Sequence, residues 1–371
     1  MESVEGNINN HLVVMAGGVG SRFWPVSSRE CPKQFMDVMG TGRSLLQMTV
    51  DRFRGMVPMG NVWVVTSVDY AELVYNQLPE VDRSHVLLEP CRRNTAPCIA
   101  YVAWRIKKLN GKANLVVAPS DHVVGNLLEF RRVVGMALEF TAQTDAIVTL
   151  GMRPTRAETG YGYIEVDAGS VSLRNPAVLR VDSFREKPDL ETARRYVAAG
   201  SYYWNSGIFV WNVGTIVNAL RVYAPEISEV FERLLPVYGT VEEQACIDRN
   251  FPCVPSISID YAVLEHADEI FVIPADFGWS DVGTWGSLQS LLDRDVSGNA
   301  VVGDGVELHE SSNCMVHVDG VKRVVIQGLE DFIVAKHDGM LLICKLSEEQ
   351  RIREWSEETS LNPTEVGERK G

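Results

Sequence analysis

Short apolar, β-branched runs recur along most of this chain, separated by longer stretches whose apolar positions repeat at helical spacing. Leu12-Val13-Val14-Met15, Val62-Trp63-Val64-Val65-Thr66, Leu115-Val116-Val117-Ala118 and Ile147-Val148-Thr149-Leu150 are apolar or β-branched throughout, which predicts strands covered on both faces. Residues 96–109 place Ile99, Val102, Ala103, Ile106 and Leu109 on one face and predict a helix. Pro97 suits its first turn, behind Asn94 and Thr95 as cap candidates. Residues 44–53 and 127–141 have the same texture. Such alternation predicts an α/β domain with helices on both faces of a largely parallel sheet. Ligands of such sheets bind at the carboxyl ends of the strands.

After Leu292 the pattern changes. Residues 300–303, 314–318, 322–326, 332–335 and 340–343 are short β-rich runs punctuated by Gly303, Gly305, Gly320, Gly328 and Gly339. Regular short strands with glycine turns predict a small β domain or the start of a β-solenoid. The expected organisation is therefore a catalytic domain over residues 1–292 and a β-rich domain over 293–371, with a polar terminal helix from Ser347.

Composition narrows the partners. Hydrophobic content of 46% and charged content of 23% are ordinary for a soluble globular chain. A formal charge of -14 argues against a nonspecific nucleic-acid binder and requires any anionic substrate to meet a local cluster of cations, with a metal ion. No stretch is long and apolar enough to span a membrane, and the first ten residues carry Glu2 and Glu5 rather than a signal-peptide core. The seven cysteines are irregularly spaced with no Cys-x-x-Cys, the pattern of reduced thiols. A cytoplasmic enzyme is the expectation.

The candidate chemistry begins at Ala16-Gly17-Gly18-Val19-Gly20-Ser21-Arg22, directly after the first strand, with Pro32-Lys33 following. Glycines admit close backbone approach, successive N–H groups form an anion-binding concavity, and Arg22 and Lys33 add full charges. The loop is neither a P-loop nor a dinucleotide fingerprint, since Phe23 stands where the third glycine of the latter belongs. That counts against a nicotinamide dehydrogenase. Asp121, in Pro119-Ser120-Asp121-His122, follows a strand and shares the ligand edge with the glycine loop. Asp281, in Trp279-Ser280-Asp281-Val282-Gly283, is a second carboxylate for Mg²⁺, which favours carboxylates together with substrate phosphates. Thr159-Gly160-Tyr161-Gly162-Tyr163, Glu186-Lys187-Pro188 and Trp204-Asn205-Ser206-Gly207 offer surfaces for a second substrate. His122, Asp260 and the tryptophans Trp204, Trp211, Trp279 and Trp285 are read as structural.

In this order the stations resemble the sugar-nucleotide pyrophosphorylases, and within them the mannose-1-phosphate guanylyltransferases. Arg22-Phe23-Trp24-Pro25, Pro32-Lys33-Gln34-Phe35 and Arg93-Asn94-Thr95-Ala96-Pro97 are the most telling, and the match continues through Ile259-Asp260-Tyr261-Ala262 to Trp279–Gly283. The resemblance implies a Rossmann-like, mostly parallel mixed sheet with a small β-helix-like C-terminal domain that supports a homodimer. It also implies a single activity, since the chain leaves no room for the isomerase module of some bacterial members. The implied reaction joins GTP and α-D-mannose 1-phosphate to give GDP-mannose and pyrophosphate. By resemblance, the N–H groups of Gly17, Gly18 and Gly20 cradle the triphosphate, and Arg22 stabilises pyrophosphate. Lys33 bridges the α-phosphate and the attacking sugar phosphate. Asn94 and Thr95 meet base or ribose. Gly160, Glu186 and Asn205 read sugar hydroxyls, Lys187 takes the sugar phosphate, and Asp121 with Asp281 holds Mg²⁺, with Mn²⁺ as the alternative. Two other readings stay open: the same chemistry on another nucleotide and sugar, and a noncatalytic sugar-nucleotide-binding homologue.

Overall fold

Nine strands build one mixed sheet: β1 (Asn10–Met15), β2 (Val62–Ser67), β3 (Val86–Glu89), β4 (Asn114–Pro119), β5 (Ile147–Met152), β6 (Tyr163–Val171), β7 (Leu179–Arg185), β8 (Tyr202–Asn212) and β9 (Ile270–Ala275). Their order is β3-β2-β1-β4-β8-β5-β9-β7-β6. The computed structural model describes residues 7–18, 23–172 and 174–359. β1, β2, β3 and β4 run parallel, as do β5 and β9, whereas β8 lies antiparallel between β4 and β5. The predicted parallel core is thus interrupted by β8, and β6 and β7 join it antiparallel.

The sheet is covered because its strands are apolar at alternate and intervening positions alike. Val13, Val65, Leu115 and Val117 pack in one cluster with the helix Thr95–Leu109, while their neighbours Leu12, Val14, Val64 and Val116 are equally buried. Asn94 caps that helix, its side chain accepting from the Thr95 N–H at 2.9 Å, and Lys107 and Lys108 sit in its last turn, where the helix dipole favours cations. The helix Leu127–Thr141 is capped the same way by Asn126, which accepts from the Glu129 N–H at 3.1 Å.

Two compact units divide the chain, and neither is continuous in sequence. The first comprises Met1–Gly17, Thr49–Ser120 and Val124–Trp279 and contains the nine-stranded sheet. The second gathers Gly18–Met48, Asp121–Val123 and Ser280–Gly371. In it, β10 (Ala300–Val302), β12 (Met315–Val318) and β14 (Phe332–His337) stack in parallel, and β11 (Val306–His309) pairs in parallel with β13 (Val324–Gln327). This is a short solenoid, ended by the antiparallel β15 (Met340–Lys345). Gly303, at φ +120°, turns one rung under the next; a Cβ there would run into the Val318 carbonyl oxygen. The rungs contribute Ala300, Met315, Ile333 and Ala335 to a core that also holds Phe23, Val38, Leu45, Val282 and Trp285. Segments remote in sequence, carrying Lys33, Asp121 and Asp281, therefore belong to one folded body.

Candidate active site

The order β2-β1-β4 puts a topological switch point at β1, since the chain leaves it to one side for β2 and returns on the other as β4. The loops after β1 and β4 emerge together there: the Ser120 N–H donates to Met15 O at 3.1 Å, and Thr66 Oγ1 donates to Ala16 O at 2.9 Å. Gly17 leaves at this point, beside Glu89 at the end of β3; a Cβ on Gly17 would lie 3.2 Å from Glu89 Oε2. Glu89 is 7% exposed, and its Oε1 has no hydrogen-bond partner. Burial pushes its carboxyl up to about 8, against the opposing hydrogen bond with the Cys98 thiol.

In the second unit, Lys33 is the centre of a cation cradle. Its ammonium pairs with Asp121 Oδ2 at 3.0 Å and donates to the main-chain carbonyls of Asp281 at 2.9 Å and Val282 at 3.0 Å. Val282 adopts φ +44°, a left-handed conformation that a β-branched residue rarely takes, and consecutive carbonyls thereby meet one ammonium. Val282 is fully buried in the core of that unit, which holds the turn in place. The Asp281 carboxylate accepts from the Gly283 N–H at 3.1 Å. Burial alone would raise the Asp121 carboxyl, but Lys33, and His122 with Nε2 at 3.8 Å from Oδ1, hold it below the usual aspartate value. Phe23 lies under the lysine, 5.9 Å from ring centre to ammonium. Beside it, Gln34 donates through Nε2 to Gly18 O at 2.7 Å and ties down the described part of the glycine loop.

A second polar cluster forms in the sheet unit. Lys187 pairs with Glu186, and here the carboxylate is the sheltered partner, 10% exposed against 60% for the lysine. Glu186 occupies the space over Gly162, where a Cβ would press into its carboxylate and come within 3.4 Å of Asn205 Cβ. The Asn205 amide is largely committed inside the protein: Nδ2 donates to Asp260 Oδ1 at 2.9 Å, while Oδ1 accepts from Thr149 Oγ1 at 3.2 Å and the Gly207 N–H at 3.0 Å. Burial, reinforced by Glu186, raises the Asp260 carboxyl to about 6. Glu186 also raises Lys187 against the opposing effect of burial. Tyr161 packs edge-on between Trp204 and Trp279, 5.2 Å from each, and Arg156 lies 5.4 Å over Trp204 while pairing with Glu158 at 3.0 Å. Gly160 is held in the same loop by a 3.1 Å bond from its N–H to Glu158 Oε1.

The structure thus brings Lys33, Asp121 and the Asp281 turn together, and separately Glu186, Lys187 and Asn205. Asn94 works as the helix cap, and Thr95 Oγ1 accepts from the Ile259 N–H at 2.8 Å. Gly20 and Arg22 lie outside the described residues. Two carboxylates take places that the sequence reading did not give them. Glu89 closes β3, ahead of the Arg93–Pro97 motif; an acid at the end of an apolar strand is its signal in the sequence. Asp260, read as a cap or packing element, instead holds the Asn205 amide, and its signal was an acid inside the apolar stretch Ile259–Leu264. Trp211 and Trp285 are core residues, as expected.

Comparison with known proteins identifies the family. Residues 11–296 match the family described as nucleotidyl transferase. A putative mannose-1-phosphate guanylyltransferase of Vibrio cholerae is 35% identical over 350 residues, covering 92% of this chain and 72% of that protein. The mannose-1-phosphate guanylyltransferase of Salmonella montevideo is 35% identical over 354 residues, covering 94% and 74%. Among solved structures, one from Thermus thermophilus, described as a mannose-1-phosphate geranyltransferase, superposes with a TM-score of 0.83 at 31% identity, covering 95% of this chain and all of that one. A switch-point glycine loop, a lysine held by one carboxylate and two main-chain carbonyls, and a match over most of the chain lead to one conclusion: this protein is a nucleotidyltransferase and belongs to the nucleotidyl transferase family.

Proposed function

We propose that the protein transfers GMP from GTP to α-D-mannose 1-phosphate, giving GDP-mannose and pyrophosphate. The observation that carries this reading is the cation cradle of Lys33, Asp121 and Asp281, in a chain about 35% identical to named mannose-1-phosphate guanylyltransferases. An oxygen of the sugar phosphate attacks the α-phosphorus in line; the new P–O bond forms as the bond to the β-phosphate oxygen breaks, and pyrophosphate leaves with the electron pair. The nucleophile is already ionised, so the protein aligns the reactants and stabilises charge.

The donor set suits a hard divalent cation: Asp121, Asp281 and the adjacent main-chain carbonyls are all oxygen donors, and some of them already meet a positive charge. Bound Mg²⁺ or Mn²⁺ supplies charge neutralisation on the phosphates. Lys187, exposed beside a fixed carboxylate, takes the sugar phosphate, and Glu186 accepts from sugar hydroxyls. Asp260 sets the Asn205 amide that borders them. Gly17 and Gly18 line the triphosphate. Glu89 serves base selection: guanine presents adjacent N1–H and N2–H donors, and their hydrogen bonds favour the ionised form of this buried acid, whose Oε1 has no partner within the protein.

Among the described residues no helix is long and apolar enough to cross a membrane, in keeping with a cytoplasmic enzyme. A homodimer supported by the solenoid completes the reading, and light scattering on the purified chain tests it.

The decisive assay is pyrophosphate release with Mg²⁺ for each nucleoside triphosphate paired with mannose 1-phosphate or glucose 1-phosphate. Release confined to GTP and mannose 1-phosphate supports the reading. Release with another pair keeps the mechanism and overturns the specificity, and silence from folded, nucleotide-binding protein overturns the activity. In the same assay Glu89→Ala raises the KM for GTP more than that for the sugar phosphate.

A further inference from the structure

Lys33 carries an observation that a simple phosphate ligand would not produce. An ammonium has three N–H donors. Asp121, the Asp281 carbonyl and the Val282 carbonyl offer three acceptors at 3.0, 2.9 and 3.0 Å, so in this state none is left over for a phosphate oxygen. The lysine side chain is 10% exposed, and the turn that presents the carbonyls is held at an unfavourable φ by the buried Val282. The arrangement is built to hold a positive charge, and the charge it holds is the protein's own.

We propose that the Lys33 ammonium and the divalent cation are alternative occupants of this oxygen cradle. While Lys33 fills it, Asp121 is neutralised and the acidic chain is spared an unpaired, sheltered carboxylate. When the cation binds to Asp121, the lysine loses its ionic partner and its ammonium becomes the donor that meets phosphate. The lysine that acts on the nucleotide is thus released by the metal that accompanies the nucleotide. Adventitious contact with phosphate before the metal arrives is suppressed, because the lysine is then engaged with three acceptors. This inference rests on the metal-site reading above and adds an order of events to it.

The test needs no turnover. The full chain, free of nucleotide, is titrated with Mg²⁺ alone by calorimetry, as wild type, Lys33→Gln, Lys33→Arg and Lys33→Gln/Asp121→Asn. Lys33→Gln binds Mg²⁺ at least tenfold more tightly than wild type, Lys33→Arg does not, and adding Asp121→Asn removes the gain. In parallel, ¹⁵N-lysine spectra of wild type show an exchange-protected ammonium signal, assigned by its loss in Lys33→Arg, which disappears as Mg²⁺ saturates the site. A Lys33→Gln affinity no tighter than wild type overturns the proposal, as does a gain that survives Asp121→Asn. So does a protected signal that persists at saturation, or Mg²⁺ binding to none of the forms. Should Lys33→Gln fail to fold, the wild-type spectra alone decide. Failure here leaves Mg²⁺-dependent pyrophosphate release intact, whereas failure of the functional reading abolishes that release.

Discussion

Among the described residues a lysine pairs with an acid twice, and the two pairs are built in opposite senses. At Lys33 the cation is enclosed and its acid is the more open partner, 10% against 30% exposed. At Lys187 the acid is enclosed and the cation open, 10% against 60%. An enclosed ammonium with its donors filled is a counter-ion for its surroundings, available to a ligand only after exchange. An open ammonium on a fixed carboxylate is a ready docking point. On the proposed function, a lysine–acid pair serves chemistry in one cluster and recognition in the other, and the difference lies in which partner the fold shelters from water.

The comparison breaks most readily at the lysines. Lys33→Ala lowers turnover by about 100- to 1000-fold, the scale of losing one charge-stabilising donor, with a smaller effect on folding. Steady-state pyrophosphate release and a thermal melt check this, and an unchanged kcat would remove Lys33 from the mechanism. Lys187→Ala acts on recognition: the KM for the sugar 1-phosphate rises about tenfold to a hundredfold, the range of a charged hydrogen bond, while kcat stays within about twofold. A fall in kcat as large as that of Lys33→Ala would erase the distinction between the clusters.

Smaller effects sharpen it. Gly162→Ala forces Glu186 out of place and costs about 1–3 kcal/mol by denaturant unfolding, an overpacking penalty that is relieved when Glu186 is shortened to Ala in the same chain. The acids of the two clusters carry opposite pH signatures. Asp121 is held below its unfolded value, so its stabilisation is present above that value and is lost as pH falls through the lower folded one. Asp260 is raised to about 6, so folded protein keeps a proton that unfolded chain releases, and stability falls as pH rises from about 4 to 6. Unfolding free energies from pH 3 to 7 should show Asp260→Asn removing that fall and Asp121→Asn removing a gain; changes of slope from wild type with the same sign in both variants would refute the contrast. The smallest test is at the Val282 turn. Val282→Gly should be more stable than Val282→Ala by about 1 kcal/mol although it buries one methyl fewer, because φ is +44°.

Much of the sheet was legible in the chain. β1, β2, β4 and β5 lie where the continuous apolar runs placed them, because strands covered on both faces need apolar residues at every position. The helix from residue 127 to 141 and the Asn94 cap were equally plain, since helical periodicity and cap chemistry are local properties. The antiparallel entry of β8 between β4 and β5 was not legible, because strand order depends on which distant segments pair. For the same reason the chain gave Asp121 and Asp281 as two acids for one Mg²⁺, without the direct contacts of Lys33 to the Asp121 carboxylate and the Asp281 carbonyl.

What the sequence by itself determined was the kind of chemistry: a glycine loop with cations, acids after strands and an ordered set of motifs that identify the family. Those depend on residue type and short spacing, which the chain carries directly. Only the tertiary structure decided how each charge is used. It set the exposure of Lys33 and Lys187 in opposite senses, turned the Asp281 and Val282 carbonyls onto one ammonium, and left Glu89 buried with an oxygen unpartnered. Burial and partner geometry arise from packing among segments far apart in sequence, and the energy of a charge depends on both.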